Sequence, residues 1–236
     1  MNIASPTPNF FGQSEGILAS AAHAANPNKM LALSGIKRKF AKNSTLLHEE
    51  DEVKHVYEVV SGTVKTSKLL ADGRRQVIGF FGDGDIIGLP VEFAAFYSIE
   101  AVTQATILCY PISQLNTVMG QSHDLTKFVF SRVHGEMEKH IGHLISLGRK
   151  RPKERMATFL LEYYNKRVDV GFTDQVIELP MSRVDISDYL GLTQETVCRV
   201  LSHFKRRAII KSRNSHEITI LDMPSLKRMA QSSVLH

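Results

Sequence analysis

Glu195 and Arg199 stand four residues apart in Gln194-Glu195-Thr196-Val197-Cys198-Arg199. On a helix that spacing puts both on one face. A guanidinium there can donate two hydrogen bonds to O6 and N7 of guanine, and a carboxylate beside it can accept from N4 of cytosine. Arg199 would also neutralise Glu195, which otherwise approaches phosphates at a cost. Helices that read DNA present their N-terminal residues to base edges, and Gln194 stands at that end too. The plainer alternative is a surface ion pair worth about 0.3–0.5 kcal/mol. Cys198 shares the polar face. A thiol in the first turns of a helix beside an arginine is a candidate for oxidation, and a sulfinate or sulfonate there would repel phosphates. Its alternative role is simply that of a small residue fitting a groove.

These groups need a rigid support, and the sequence supplies one. Ser182-Arg183-Val184-Asp185 fits a capping box, a serine hydroxyl with an acid three residues later, and opens a helix to about Leu190. Gly191-Leu192-Thr193 is a tight turn, and Thr193 can cap a second helix from Gln194 to about Arg207. Val197, Leu201, Phe204 and Ala208 fall on the side expected to be buried; Glu195, Cys198, Arg199, Ser202 and Arg206 fall on the other. Two short helices joined by a glycine turn are a helix-turn-helix pattern. The strands of "IIKSRNSHEITIL", turning at Asn214-Ser215, read as a wing with Lys211, Arg213 and His216 near its tip. Backbone contacts to DNA are expected from Ser182, Arg183, Thr193 and Thr196, and from Ser202, Arg206, Lys211 and Arg213. Such contacts fix register without carrying sequence information.

Charge divides the chain in the same place. Arg149 to the C-terminus holds 16 Lys and Arg against 10 Asp and Glu, a net of +6; residues 1–148 hold 13 against 14, a net of −1. A basic back half suits a polyanion. Residues 1–28 are rich in Ala, Pro, Asn and Ser and read as a mobile arm. From Lys37 to about Ile112, short apolar runs punctuated by Gly79, Gly82, Gly84 and Gly88 indicate an all-β barrel or roll. "HVYEVVSGTVKTSKLL" alternates with a glycine at the expected turn, and Asp72-Gly73 marks a tight hairpin. A short helix near Ile112–Met119 then leads into a long one, His123–Leu147. Val129, Val133, Met137, Ile141 and Leu144 recur there at steps of three and four, a stripe suited to a dimer seam or to packing against the roll. Pro152 marks the hinge, and "RMATFLLEYYNKR" is a further helix.

No apolar run approaches the roughly 18–20 residues of a membrane span, no secretory signal stands at the N-terminus, and two cysteines form no disulfide framework. These features point to the cytoplasm. No nucleophile elbow, P-loop or HExxH motif argues for an enzyme. His134, His140 and His143 lie on the long helix; His140 and His143 could share a metal or haem, though ordinary surface or seam roles are commoner.

"DISDYLGLTQETVCRVL", "ERMATFLL" and the glycine-punctuated strands resemble the CRP/FNR superfamily of bacterial transcription regulators over roughly residues 30–230. The resemblance implies an α+β homodimer: an N-terminal antiparallel β-roll of cyclic-nucleotide-binding type (29–119), a long dimerisation helix (120–150) and a C-terminal winged helix-turn-helix (151–236). It implies that Glu195 and Arg199 read a G·C pair in a TTGA-N-TCAA-like palindrome. RNA polymerase is the implied partner, with β-roll loops and the 165–174 loop as contact candidates. Leu89 stands near the position where cyclic-AMP-binding members carry a Glu, and Tyr97-Ser98 near their phosphate-holding Arg-Ser. A cyclic phosphate buried without a cation would be costly. No cysteine precedes Cys109, and two cysteines cannot supply the four thiolates of the oxygen-sensing branch. The chain therefore resembles the FixK-like branch. Such regulators serve low-oxygen and nitrogen-fixation programmes, use no cofactor and mainly activate. A regulator of the same fold gated by haem or another small molecule in the roll is the alternative.

Overall fold

The computed structural model describes residues 35–89, 94–169 and 171–231; the expected N-terminal arm lies outside them. Eight strands come first: β1 (Ile36–Phe40), β2 (Thr45–Leu47), β3 (His55–Ser61), β4 (Val64–Leu69), β5 (Arg75–Phe81), β6 (Ile86–Ile87), β7 (Ser98–Ala101) and β8 (Ala105–Pro111). They form two antiparallel four-stranded sheets, ordered β1-β8-β3-β6 and β2-β7-β4-β5. Val59, Ile107 and Cys109 of the first sheet meet Val64, Ile99 and Phe81 of the second in a shared core. The β-roll expected from the strand pattern is therefore present.

One pairing differs from its sequence reading. The alternation around Gly62 suggests a hairpin, yet β3 and β4 belong to different sheets. Gly62, at φ 93°, carries the chain across the edge of the roll. A Cβ there would lie 2.3 Å from the Gln104 carbonyl oxygen. Alternation reports that one face of a strand is buried, not which strand lies beside it. At Asp72-Gly73 the local signal holds. β4 and β5 pair, and Gly73 turns at φ 83° with its amide on the Leu70 carbonyl.

Helices follow: α1 (Ile112–Gln121), α2 (His123–Arg149) and α3 (Pro152–Asp169). Ser122 caps α2 by accepting from the Leu125 amide. The first turns of α2 belong to the roll, because Leu125, Phe128 and Val129 pack with Val56, Tyr110 and Leu115. Val129, read from sequence as part of the dimer stripe, is only 2% exposed and is a core residue of its own roll. Beyond it Val133, Met137, Ile141 and Leu144 are 37–68% exposed. Between α2 and α3, Lys150 is extended (φ −83°, ψ 144°), so the helix breaks where Pro152 requires it. The helix read over 155–167 runs on through Val168 and Asp169, the first residues of the stretch read as loop, so α3 takes up 165–169 of the expected 165–174 loop.

The remainder is β9 (Val176–Glu178), α4 (Arg183–Leu190), α5 (Gln194–Arg206), β10 (Ile210–Ser212), β11 (Glu217–Ile220) and α6 (Met223–Gln231). Its three strands make a small sheet, β10-β11-β9. Met156, Phe159, Leu160, Ile186, Leu190, Val197, Leu201 and Phe204 fill one core. Ala208 does not join it. The helix ends at Arg206, and Ala208 turns out at φ 52° so that Ile209 and Ile210 enter the core instead.

Gly62→Ala should destabilise the protein by roughly 1–3 kcal/mol, since it adds a strained φ to a backbone clash. The expected result is a melting temperature lower by about 2–4 °C per kcal/mol. An unchanged melting temperature would contradict the crossing geometry.

Candidate nucleic-acid interface

The polar face of α5 is presented by two capped helices. Ser182 accepts from the Asp185 amide at 3.0 Å, and Asp185 Oδ2 accepts from the Ser182 amide and hydroxyl at 3.2 and 2.7 Å, completing the capping box. Gly191 leaves α4 in the left-handed region, φ 60°. Thr193 accepts from the Thr196 amide at 3.2 Å and so starts α5. Val197, Val200, Leu201 and Phe204 anchor the helix in the core. Gln194, Glu195, Cys198, Arg199, Ser202 and Arg206 are left exposed on the opposite side.

Glu195 and Arg199 approach at 3.9 Å, with side chains 83% and 69% exposed. This is a loose pair that can separate to meet two bases. Arg199 Nη2 also lies 3.4 Å from the Thr196 hydroxyl, which itself meets Thr193 Oγ1 at 2.9 Å. Lys211 and Arg213 are exposed on the wing. Asn214 shapes the wing tip by accepting from the His216 and Glu217 amides at 2.7 and 2.8 Å.

Two residues expected to contact phosphates also bond within the chain. The Ser182 hydroxyl proton and amide are both given to Asp185, leaving lone pairs that a phosphate would repel. Arg183 Nη2 donates to the Ser215 carbonyl at 2.7 Å, tying α4 to the wing. Arg155 is a residue the sequence reading did not single out. Its guanidinium donates to the carbonyls of Leu147 (2.7 Å), Lys150 (2.9 Å) and Leu190 (2.9 Å). It joins the end of α2, the hinge and the helix-turn-helix. No local rule marks it, because its acceptors are backbone atoms up to 36 residues away.

Among the described residues no group of His, Cys, Asp and Glu is arranged to hold a metal. His143 stacks on Tyr189 at 4.0 Å rather than pairing with His140. Cys109 is buried in the roll and Cys198 is exposed on α5. No helix among the described residues is long and apolar enough to cross a membrane.

Two family models match the chain: a cyclic nucleotide-binding domain over residues 37–122 and a Crp-like helix-turn-helix domain over residues 154–229. The nitrogen fixation regulation protein FixK of Azorhizobium caulinodans is 32% identical over 211 residues, 89% of this chain and 85% of that one. The chain belongs to the CRP/FNR family. It is a DNA-binding transcription regulator of the FixK-like kind and not an enzyme. FixK of Bradyrhizobium diazoefficiens is likewise 32% identical, over 72% of each chain. The solved structure of FixK2 from Bradyrhizobium japonicum superposes with a TM-score of 0.79 at 32% identity, covering 84% of this chain and 98% of that one.

CRP/FNR membership raises the question of a cyclic nucleotide. A cavity of about 440 Å3 lies between the roll and α2, lined by Phe81, Ile86, Ile87, Leu89, Tyr97, Val133, Met137 and Leu144 among others, with Glu136 and His140 its charged or titratable groups. No Lys or Arg lines it among the described residues. Ser98 Oγ accepts from the Glu49 amide at 3.0 Å. This lining does not fit a cyclic phosphate, which would lie beside the Glu136 carboxylate with no Lys or Arg among the described lining residues.

Burial lowers the pKa of His143 to about 4; the Tyr189 backbone opposes this, and His140 and Arg155 add to it. The unfolded chain, with an ordinary pKa near 6.5, takes up the proton first as pH falls. Stability should therefore fall between about pH 6.5 and 4 and be level above that window. Glu162, raised to about 6 chiefly by burial, acts in the opposite sense. The difference between wild type and His143→Phe thus isolates the histidine. Urea unfolding near pH 7.5 and 5 should show the wild type losing more stability than the variant; equal losses would contradict the assignment.

Proposed function

We propose that this protein is a homodimeric, sequence-specific regulator, mainly an activator, of low-oxygen and nitrogen-fixation-type genes. It reads a TTGA-N-TCAA-like palindrome in the cytoplasm without a cyclic nucleotide or an iron–sulfur cluster. The observation that carries this reading is the exposed Glu195–Arg199 pair near the start of a capped, core-anchored helix. In this role Gln194, Glu195 and Arg199 contact bases. Thr193, Thr196, Ser202, Arg206, Lys211 and Arg213 contact the backbone. The FixK names of the two relatives support the gene class.

The bare stripe Val133, Met137, Ile141 and Leu144 supports a dimer, since its spacing continues along one face of α2 after the roll has covered Val129. Two copies would set their α5 helices in major grooves about 34 Å apart. Productive binding then presents the roll loops and the region around Phe172 to RNA polymerase. The apolar cavity beside α2 favours a second reading, a regulator gated by an uncharged small molecule. Native mass spectrometry of the purified dimer separates the two.

Reduced protein without added effector should bind a TTGAT-N4-ATCAA duplex far more tightly than a scrambled one in a salt-controlled titration. Arg199→Ala should cost about 1–3 kcal/mol and relax selection at one G·C pair. A uniform loss on all sequences would make Arg199 a phosphate contact, and no selectivity in the wild type would remove the reading. Ile141→Glu should shift sedimentation from dimer to monomer; an unchanged dimer would place the interface elsewhere.

A further inference from the structure

A cluster of charges away from the DNA face joins the two halves of the protein. Lys65 of β4 and Asp185 of α4 meet at 2.7 Å, with side chains only 9% and 11% exposed. Arg75 of β5 reaches Asp185 and Asp188 through Nη2, each at 2.8 Å, and adds Nε to Asp188 at 2.9 Å. Glu100 of β7 balances Lys65 at 3.1 Å. Beside them Gln76 Nε2 donates to the Tyr189 carbonyl at 3.3 Å.

The chemistry of Asp185 is divided between two tasks. Oδ2 closes the capping box that starts the helix-turn-helix, while Oδ1 receives Lys65 and Arg75 from the roll. Asp185 and Asp188 are one helical turn apart, so both carboxylates face the same strand pair. A buried ion cluster is weak evidence for stability, because desolvation offsets most of its attraction. Its well-attested use is to fix one geometry among several. Removing one partner is expensive because a charge is left buried and unpaired. Here the geometry fixed is that of α4 on the roll, and α4 carries α5 through the Gly191 turn.

We propose that Lys65 and Arg75 are positioning residues for DNA reading, clasping Asp185 and Asp188 so that α5 is held ready without a bound effector. The proposal rests on the DNA-reading function above and adds the part of the roll that regulates it. The clasp acts on orientation, so its loss should weaken palindrome binding more than nonspecific binding, which needs only positive charge.

The test measures affinity of the full chain for the TTGAT-N4-ATCAA duplex, for duplexes with the half-sites one base pair closer or further apart, and for a scrambled duplex. Arg75→Gln should lose about tenfold on the palindrome, narrow the discrimination between spacings and leave scrambled binding unchanged. Asp188→Asn should do the same. The double variant should be no worse than either single one, as coupled partners are non-additive. Arg75→Lys keeps the charge but cannot bond two carboxylates as a fork, and should fall between. It serves also if Arg75→Gln fails to fold, as judged by thermal melting. Wild-type spacing preference in folded variants, or losses that add, would overturn the clasp while leaving the DNA-reading function intact. A wild type that binds no duplex selectively would overturn both.

Discussion

The arrangement of this regulator depends on the guanidinium of Arg155. Two helices end close together at the hinge: α2 at Arg149, capped by the extended Lys150, and α4 at Leu190. The last carbonyls of each would otherwise lack helical partners. Arg155, in the first turn of α3, supplies donors to the carbonyls of Leu147, Lys150 and Leu190. The Gly191 turn beside it is left to glycine by its left-handed φ of 60°. One planar group thus joins the end of α2 with its Lys150 cap to the end of α4. Tyr189 stacking on His143 closes the same joint from the other side.

Around this joint the surface divides by what the chain itself covers. The first part of α2 is consumed by the roll, and the polar face of α5 is left exposed by the described residues. The Ser182 and Thr193 hydroxyls near the DNA face are engaged in capping, whereas Arg206, Lys211 and Arg213 are exposed. Long cations supply reach to a polyanion, and short hydroxyls supply the rigidity that makes the reach selective.

The features legible in the sequence were those decided within a few residues. The Ser182 capping box, the Gly191 turn, the Thr193 cap, the Asp72-Gly73 hairpin and the Pro152 break each follow from local backbone chemistry, and each is found where its residues place it. Those that were not legible involve distant partners. Gly62 looks like a hairpin turn because alternation is silent about neighbours. Val129 has the spacing of the bare stripe, yet it sits low enough on α2 for the roll to reach it. Ser182 and Arg183 read as phosphate ligands; that the Ser182 hydroxyl bonds Asp185 and Arg183 Nη2 bonds the Ser215 carbonyl depends on the fold. Asp185 reads as a capping acid; its second task depends on Lys65, 120 residues away.

Among the described residues strand β1 lies at the edge of its sheet and pairs with β8 alone, Ile36 opposite Cys109. During synthesis, at roughly 5–20 residues per second, that partner emerges about 4–15 seconds after β1 itself. Throughout this interval an unpaired strand is open to the wrong neighbours. Lys37, Arg38 and Lys39 occupy its middle. Their mutual repulsion discourages two nascent chains from joining edge to edge, so the strand can wait for its own partner.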